Sequence, residues 1–68
     1  MNLTINGKKK QLTNIAKLSE LLVQLEINDE ENGFAIAINE KVIFRNTWQN
    51  ALLNEGDRIE IIRATQGG

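Results

Sequence analysis

One amphipathic segment limits the folds open to this chain more than any other feature of its sequence. Within LSELLVQL, four leucines recur at the i, i+3, i+4 and i+7 positions of a helical face: Leu18, Leu21, Leu22 and Leu25. This spacing predicts an amphipathic helix that ends near Glu26, with Asn14 as its N-cap because Lys17 is a poor capping residue. A single helix cannot cover both faces of a sheet, so one face of any sheet in this chain stays open.

The residues before the helix predict a β-hairpin over residues 2–12. In NLTING, Leu3 and Ile5 alternate with polar residues, which is the period of a half-buried strand. Asn6-Gly7 is a strong signal for a two-residue hairpin turn. KKKQL then forms the return strand, and its lysines are predicted to make a solvated edge that discourages aggregation.

The residues after the helix predict three further strands. FAIAIN is a short, nearly continuous apolar run, and we expect it to form a central strand covered on both faces. Glu40-Lys41 is the predicted turn into the brief strand VIFR, and NTWQNALL is predicted to hold a turn or 3₁₀ segment with Trp48 in the core. NEGD is a turn in which Gly56 supplies a positive φ, and RIEIIR is the last strand.

The order β-β-α-β-β-turn-β indicates an α+β fold. One helix packs on one face of a mixed sheet of four or five strands, and the last strand can lie beside the first. This is the β-grasp, or ubiquitin-like, architecture. Residues 1–64 form the predicted domain, and residues 65–68 form a predicted flexible tail.

The open face of this sheet is a predicted docking surface. The strand register puts Ala35, Ala37 and Ile62 there, which makes the face partly apolar and uncovered. Arg58 and Arg63 stand at the ends of the last strand, and we expect them to face a partner near the tail.

The composition argues against catalysis by the chain itself. The chain has no histidine and no cysteine, so the commonest general base, the thiol nucleophile and the usual zinc ligands are missing. Asp29, Glu30 and Glu31 are predicted to be solvated loop residues, and their spacing does not fit a calcium loop. We therefore expect neither an enzyme nor a metal site.

The charge balance argues against nucleic acid as a partner. Eight Lys and Arg residues against nine Asp and Glu residues give a net charge of −1, and Lys8, Lys9 and Lys10 make a small electrostatic footprint. We expect no membrane partner either, because no apolar run approaches the roughly 20 residues of a membrane span. MNLTINGKKK lacks the order of a secretory signal. A cytoplasmic location is expected, with the plastid stroma as the alternative, and the free chain is expected to be monomeric.

The terminal pair Gly67-Gly68 follows the last strand at a place where no turn requires glycine. Because Gly67 and Gly68 have no Cβ atoms, the end of the tail is narrow enough to enter the active site of another protein. Its carboxylate, with a pKa of roughly 3.5, is ionised at neutral pH and is a poor electrophile. An acyl-adenylate would supply a leaving group that a sulfur nucleophile or an amine can displace. Gly68 is then the modified residue, and Thr65, Gln66 and Gly67 enter the partner with it.

The whole chain resembles the ThiS-type sulfur carrier family of thiamin biosynthesis. LTING and LSELLVQL resemble the family's opening hairpin and helix, and AIAINEKVIFRNTW is similar to its A-V-N-x-x-x-V-P-R-x-x-W stretch. LNEGDRIEIIRATQGG is similar to the L-x-x-G-D-x-I-E-I ending that closes on a diglycine. Besides that diglycine, the residues that carry the resemblance are Asn39, Arg45, Trp48, Gly56 and Asp57. Three residues depart from it: Phe44 stands for a proline, Lys17 for a serine or threonine, and Gln66 for a small or apolar residue.

The resemblance implies a protein carrier that binds no cofactor and does no catalysis. A ThiF-type adenylating enzyme would activate Gly68 with ATP, and a persulfide donor would supply sulfur. A ThiG-type thiazole synthase would then receive the sulfur from the thiocarboxylate. The alternatives are a carrier for molybdopterin synthesis or tRNA thiolation, and a ubiquitin-like protein modifier. The stretch from Arg45 to Trp48 favours thiamin biosynthesis, because molybdopterin carriers lack it.

Overall fold

The computed structural model describes residues 1–27 and 33–63 of the chain. The elements follow in the predicted order: β1 (Asn2–Ile5), β2 (Lys8–Gln11), α1 (Leu18–Gln24), β3 (Phe34–Ile38), β4 (Lys41–Ile43), a 3₁₀ helix (Arg45–Thr47) and β5 (Arg58–Arg63). Asp29, Glu30 and Glu31 lie outside the described residues, so their solvated setting stays a prediction. No helix in the described part of the chain is long and apolar enough to span a membrane.

The five strands form one mixed sheet in the order β2-β1-β5-β3-β4. β5 runs parallel to β1 and antiparallel to β3, while the two hairpins pair antiparallel. The last strand therefore lies beside the first, as predicted for a β-grasp fold. Together with α1, this sheet confirms the predicted α+β class.

The prediction that FAIAIN is covered on both faces is wrong, although β3 is an interior strand of the sheet. β5 occupies the centre of the sheet, and β3 lies between β5 and the edge strand β4. Ile36 is fully buried in the core, whereas Ala35 on the other face is exposed. An apolar run does not prove coverage here, because its outward positions are alanines, which expose little apolar area.

The opening hairpin forms around the predicted turn. β1 and β2 pair from Asn2↔Gln11 to Ile5↔Lys8, and Asn6 and Gly7 take φ values of 49° and 82°. Positive φ at both central residues is the conformation of a type I′ turn. All four residues of β2 are exposed, and β2 lies at the edge of the sheet, so the predicted lysine-rich edge is confirmed.

The helix starts by a different device from the one predicted. Asn14 is not the N-cap: α1 begins at Leu18 with Lys17 as its N-cap. The carboxylate of Glu20 reaches back and accepts hydrogen bonds from the N–H groups of Ala16 and Lys17, at 2.8 and 2.9 Å. These backbone bonds hold the pKa of Glu20 below its ordinary value of 4.5. Because Glu20, inside the helix, supplies the hydrogen-bond acceptor, the N-cap residue does not need an acceptor side chain, and lysine is tolerated there.

The helix ends at Gln24, two residues before the predicted end, in a Schellman motif. The N–H of Ile27 donates to the carbonyl of Leu22 at 2.9 Å, and the N–H of Glu26 donates to the carbonyl of Val23 at 3.0 Å. Glu26 takes the positive φ of 59° that glycine usually supplies in this motif. Without a glycine, the sequence contained no direct signal for this stop.

One core joins α1 to the sheet. Its buried members are Leu3, Ile5, Ile15, Leu18, Leu21, Leu22, Ile36, Trp48, Leu53 and Ile59. Three leucines of the predicted stripe belong to it, and Leu25 packs half-buried against it. Trp48 is 3% exposed, which confirms its predicted place in the core.

The turns of the second half follow the sequence closely, with one shift. Asn39 and Glu40 form the turn between β3 and β4, with φ values of 50° and 73°, one residue earlier than the predicted Glu40-Lys41. The predicted 3₁₀ segment forms immediately before Trp48. Gly56 takes a φ of 85°, as predicted for the turn before β5.

Candidate functional site

The candidate site is the end of β5 with the sheet face around it. β5 ends at Arg63 and leads directly into residues 64–68. The predicted tail residues Thr65, Gln66, Gly67 and Gly68 lie outside the described residues, so their roles stay predictions. The described residues establish how the strand that leads to the tail is held.

The start of β5 is held by the turn between β3 and β4. Oδ1 of Asn39 accepts a hydrogen bond from the Arg58 N–H at 2.9 Å, and the Asn39 N–H donates to the Arg58 carbonyl at 2.8 Å. Nδ2 of Asn39 donates to Oδ1 of Asp57 at 2.9 Å. Oδ2 of Asp57 accepts from the Asn54 N–H at 2.8 Å. Asp57 is 7% exposed, so these bonds satisfy a buried carboxylate while they fix the strand.

The later part of β5 is held by the turn between β1 and β2. β1 pairs with β5 as far as Ile5↔Ile59, and the chain then turns away at Asn6. Oδ1 of Asn6 accepts a hydrogen bond from the Ile61 N–H at 2.8 Å, and Nδ2 donates to the Ile61 carbonyl at 3.3 Å. An amide side chain offers an acceptor beside a donor, as a strand backbone does. The Asn6 side chain therefore extends the support of β5 beyond the end of β1.

Glu55 fastens the beginning of β1 beside β5. Its carboxylate oxygens each lie 3.0 Å from the Asn2 nitrogen, whose N–H they accept. The Gly56 N–H donates to the Asn2 carbonyl at 2.7 Å. The backbone hydrogen bond from Asn2 holds the pKa of the Glu55 carboxyl below its ordinary value of 4.5.

The predicted docking residues lie together on the sheet face opposite the core. Ala35 pairs with Ile62, and Ala37 pairs with Glu60 on β5 and with Val42 on β4. Ile62 is 56% exposed and Val42 is 63% exposed. Ala37 is buried between its longer neighbours, so the accessible apolar surface is made by Ala35, Ile62 and Val42 rather than by Ala37.

Phe44 extends this surface at the edge of the sheet. It is 74% exposed, and the β3–β4 register puts it opposite Ala35, one step beyond the pair Ile36↔Ile43. We call Ala35, Val42, Phe44 and Ile62 the apolar patch. Val42 and Phe44 were not predicted as docking residues, although their alternation in KVIFR indicates that they share a face.

The other half of the same face is polar. A shallow hollow of about 620 Å³ lies there, lined by Asn2, Thr4, Lys9 and Gln11 among others. Because the half formed by β2 and β1 is polar, the apolar patch is confined to the half of the face formed by β5, β3 and β4. In the described ranges, no group of three or more His, Cys, Asp or Glu residues is arranged to hold a metal ion.

The two arginines of β5 are not close together. Arg63 closes the strand, and Arg58 opens it, roughly 17 Å away at the rise of a strand. Arg58 also lies near Glu40, with 3.5 Å between their charged groups. Arg58 therefore lies far from the last residue of β5, whereas Arg63 is that residue, and the predicted role of both arginines at a partner surface stays a prediction.

Arg45 and Trp48 support the fold at the end of β4. The Arg45 guanidinium lies 4.8 Å from the centre of the Trp48 ring and 5.3 Å from that of Phe34, within cation–π range. Nε1–H of Trp48 donates to the Ile43 carbonyl at 2.9 Å. These contacts of Arg45 and Trp48 therefore stabilise the chain at the end of β4, where Phe44 is exposed.

Sequence reasoning did not find the roles of Asn6 and Asn39. It used Asn6 as a turn residue and Asn39 as a marker of resemblance, whereas both amides bind the backbone of β5. The sequence contained part of this information, because an asparagine at the first central position of a hairpin turn can hydrogen-bond to a neighbouring strand. It did not show that β5 is this neighbour, since the strand order of the sheet was needed for that.

Comparisons with known proteins agree with this fold. The ThiS family model matches residues 3–68. The sulfur carrier protein ThiS of Escherichia coli (strain K12) is 29% identical over 68 residues, with 100% of both chains covered. The crystal structure of the thiamine biosynthesis protein ThiS from Geobacter metallireducens is 27% identical, has a TM-score of 0.83 and is matched over 100% of both chains. A solution structure of a thiamine biosynthesis protein from the same organism is 28% identical and has a TM-score of 0.78, covering 100% of this chain and 88% of that one.

Proposed function

This chain belongs to the ThiS family, and on that premise we propose that it carries sulfur as a thiocarboxylate on Gly68. Its function is that of a sulfur carrier for thiamin biosynthesis. The observation that carries the proposal is the family match, which runs through residue 68 and so includes the diglycine. The E. coli sulfur carrier aligns over its full length as well.

The proposed chemistry begins at the Gly68 carboxylate. One of its oxygens attacks the α-phosphorus of ATP, and pyrophosphate leaves, so that an acyl-adenylate forms. A persulfide sulfur then attacks the carbonyl carbon and displaces AMP. A thiol cleaves the resulting S–S bond, which leaves the thiocarboxylate on Gly68 and a disulfide on the donor side. The chain has no histidine and no cysteine, so the partners supply the proton transfers and the sulfur.

The proposed partners act one after another. A ThiF-type adenylating enzyme uses ATP and a persulfide donor, and a ThiG-type thiazole synthase takes the sulfur. ATP and the persulfide are substrates of these partners and not cofactors of the carrier. The proposed location is the cytoplasm.

The apolar patch is the proposed docking surface for the adenylating enzyme. Its exposed side chains Val42, Phe44 and Ile62 can bury apolar area against a partner, which is the main source of energy in such interfaces. Because Ile62 lies one residue before the end of β5, a partner docked there is close to the residue that precedes the tail. Arg63 is that residue, and strand alternation directs its side chain to the face opposite Ile62.

The proposal is tested by ATP–pyrophosphate exchange with a ThiF-type enzyme. The full chain is expected to stimulate exchange, and the variant that lacks Gly68 is expected to be inactive while its thermal melt stays nearly unchanged. Exchange that is equal with both chains would contradict activation at Gly68. Exchange with an adenylating enzyme of molybdopterin synthesis, but not with the ThiF-type enzyme, would assign the carrier to the alternative pathway.

A further inference from the structure

Asn6 lies where the support of β5 changes from two sides to one. β1 pairs with β5 as far as Ile5↔Ile59, whereas β3 pairs with β5 through its last residue, Arg63. Between those limits, the Asn6 side chain supplies the contact on the β1 side through its two bonds to Ile61. Without it, the last part of β5 would keep β3 as its sheet neighbour among the described residues.

We propose that Asn6 is a positioning residue for the tail: its amide fixes the last part of β5, to which residues 64–68 are joined. This inference rests on the proposed function, because the position of the strand end matters when the tail has to enter a partner. Ordering a backbone segment costs conformational entropy. A strand end that is ordered before the encounter does not incur that cost when the partner binds.

The same two bonds also hold part of the docking surface. Ile62 belongs to the apolar patch and directly follows Ile61, the residue that Asn6 binds. If the strand end frays, the position of the Ile62 side chain relative to Val42 and Phe44 becomes variable. Loss of the Asn6 amide is therefore expected to weaken both the docking and the entry of the tail.

The chain offers a matched control for this test. Asn6 and Asn39 both open two-residue hairpin turns, with φ values of 49° and 50°, and the amides of both bind the backbone of β5. Asn39 binds Arg58, at the end of β5 far from the tail. Glycine suits the positive φ at both sites, so Asn6→Gly and Asn39→Gly remove the amides and keep the turns.

The experiment measures KM and kcat of the full-length variants in ATP–pyrophosphate exchange with a ThiF-type enzyme, below their melting temperatures. Asn6→Gly is expected to raise KM about fivefold, the factor that corresponds to one hydrogen bond, with kcat unchanged. Asn39→Gly also removes the donor to Oδ1 of buried Asp57, so it should lower stability more and leave KM unchanged. Asn6→Asp keeps the acceptor for the Ile61 N–H but loses the donor to the Ile61 carbonyl, so it should restore KM only in part.

A second readout follows the free chain without any partner. Amide hydrogen exchange at Ile61 is expected to speed up in Asn6→Gly and to stay slow in Asn39→Gly. An unchanged KM for Asn6→Gly, or an equal rise for both glycine variants, would overturn the assignment of Asn6. If the parent chain itself is not activated, the proposed function fails, whereas activation of the parent with no effect of Asn6→Gly refutes the positioning role alone.

Discussion

Nδ2 of Asn39 donates a hydrogen bond to Oδ1 of Asp57 at 2.9 Å, and this bond joins the turn that follows β3 to the turn that precedes β5. The two residues are 18 positions apart in sequence. They belong to the stretches that carry the family resemblance, and the structure gives them a structural role, since Asp57 is buried and accepts a second bond from the Asn54 N–H. The hydrogen bonds of these two residues hold the start of β5 in place.

Asp57→Ala is expected to lower the free energy of unfolding by about 1–3 kcal/mol, because it leaves the Asn39 amide and the Asn54 N–H without their acceptor. Urea denaturation measures this as a lower midpoint with an unchanged slope. Glu60→Ala, at an exposed position of β5, is the control and should change stability by less than about 0.5 kcal/mol. Equal losses for the two variants would show that the Asp57 bonds do not stabilise the fold.

Phe44→Pro is expected to leave stability unchanged or to raise it by up to about 1 kcal/mol. Phe44 has φ −65° and ψ 142°, which proline adopts without strain. The preceding residue, Ile43, is in a strand, as a residue before proline prefers. Thermal melts measure the effect, and Ile43→Pro inside β4 is the control that should clearly destabilise the fold. A strong loss at Phe44 would mean that its N–H or its side chain contributes more than this backbone geometry indicates.

Glu55→Gln is expected to reduce stability at neutral pH, with a difference that shrinks under acid conditions. Because the folded-state pKa of Glu55 lies below its ordinary value of 4.5, the ionised carboxylate stabilises the folded chain above that pH. The contribution is lost as the pH falls from about 4.5 through the folded-state pKa. Urea midpoints of both chains across this range measure the effect, with Glu60→Gln as a control for removal of a surface charge. A difference that stays constant with pH would contradict the role of the Asn2 bonds.

Ile62→Thr is expected to raise the KM of the chain in activation by a ThiF-type enzyme about fivefold or more, as expected for a contact inside an interface. Threonine keeps the β-branched shape that suits a strand, so the fold should be retained. Val23→Thr is the matched control, because Val23 is 75% exposed but lies on α1, away from the apolar patch. An equal response of the two variants would exclude the patch as the docking surface.

The sequence predicted the parts of the fold that depend on local pattern. The leucine stripe of α1, the Asn6-Gly7 turn and the alternation in β1 and β5 depend on the period of side chains along one segment. The start of α1 was not predictable from cap preference, because Glu20 supplies the acceptor from inside the helix. The apolar run of β3 predicted coverage on both faces, since such a run does not reveal which of its faces is covered, and only the presence of one predicted helix indicated the open face.

The site was predicted less completely than the fold, for a physical reason. The open face and its residues Ala35 and Ile62 follow from strand period and were found. The contacts of Asn6 with Ile61 and of Asn39 with Asp57 join segments that are distant in sequence, so no local pattern contains them. Arg58 and Arg63 stand at opposite ends of the predicted strand RIEIIR, which the structure confirms as β5.

Thiocarboxylate formation on Gly68 is measured by the mass of the chain after incubation with a ThiF-type enzyme, ATP and a persulfide donor. The intact mass is expected to rise by the difference between one sulfur and one oxygen atom, and fragmentation is expected to localise the change to Gly68. The variant without Gly68 should keep its mass under the same conditions. An unchanged mass of the full chain, where a known sulfur carrier is converted, or a modification at a residue other than Gly68, would contradict the account.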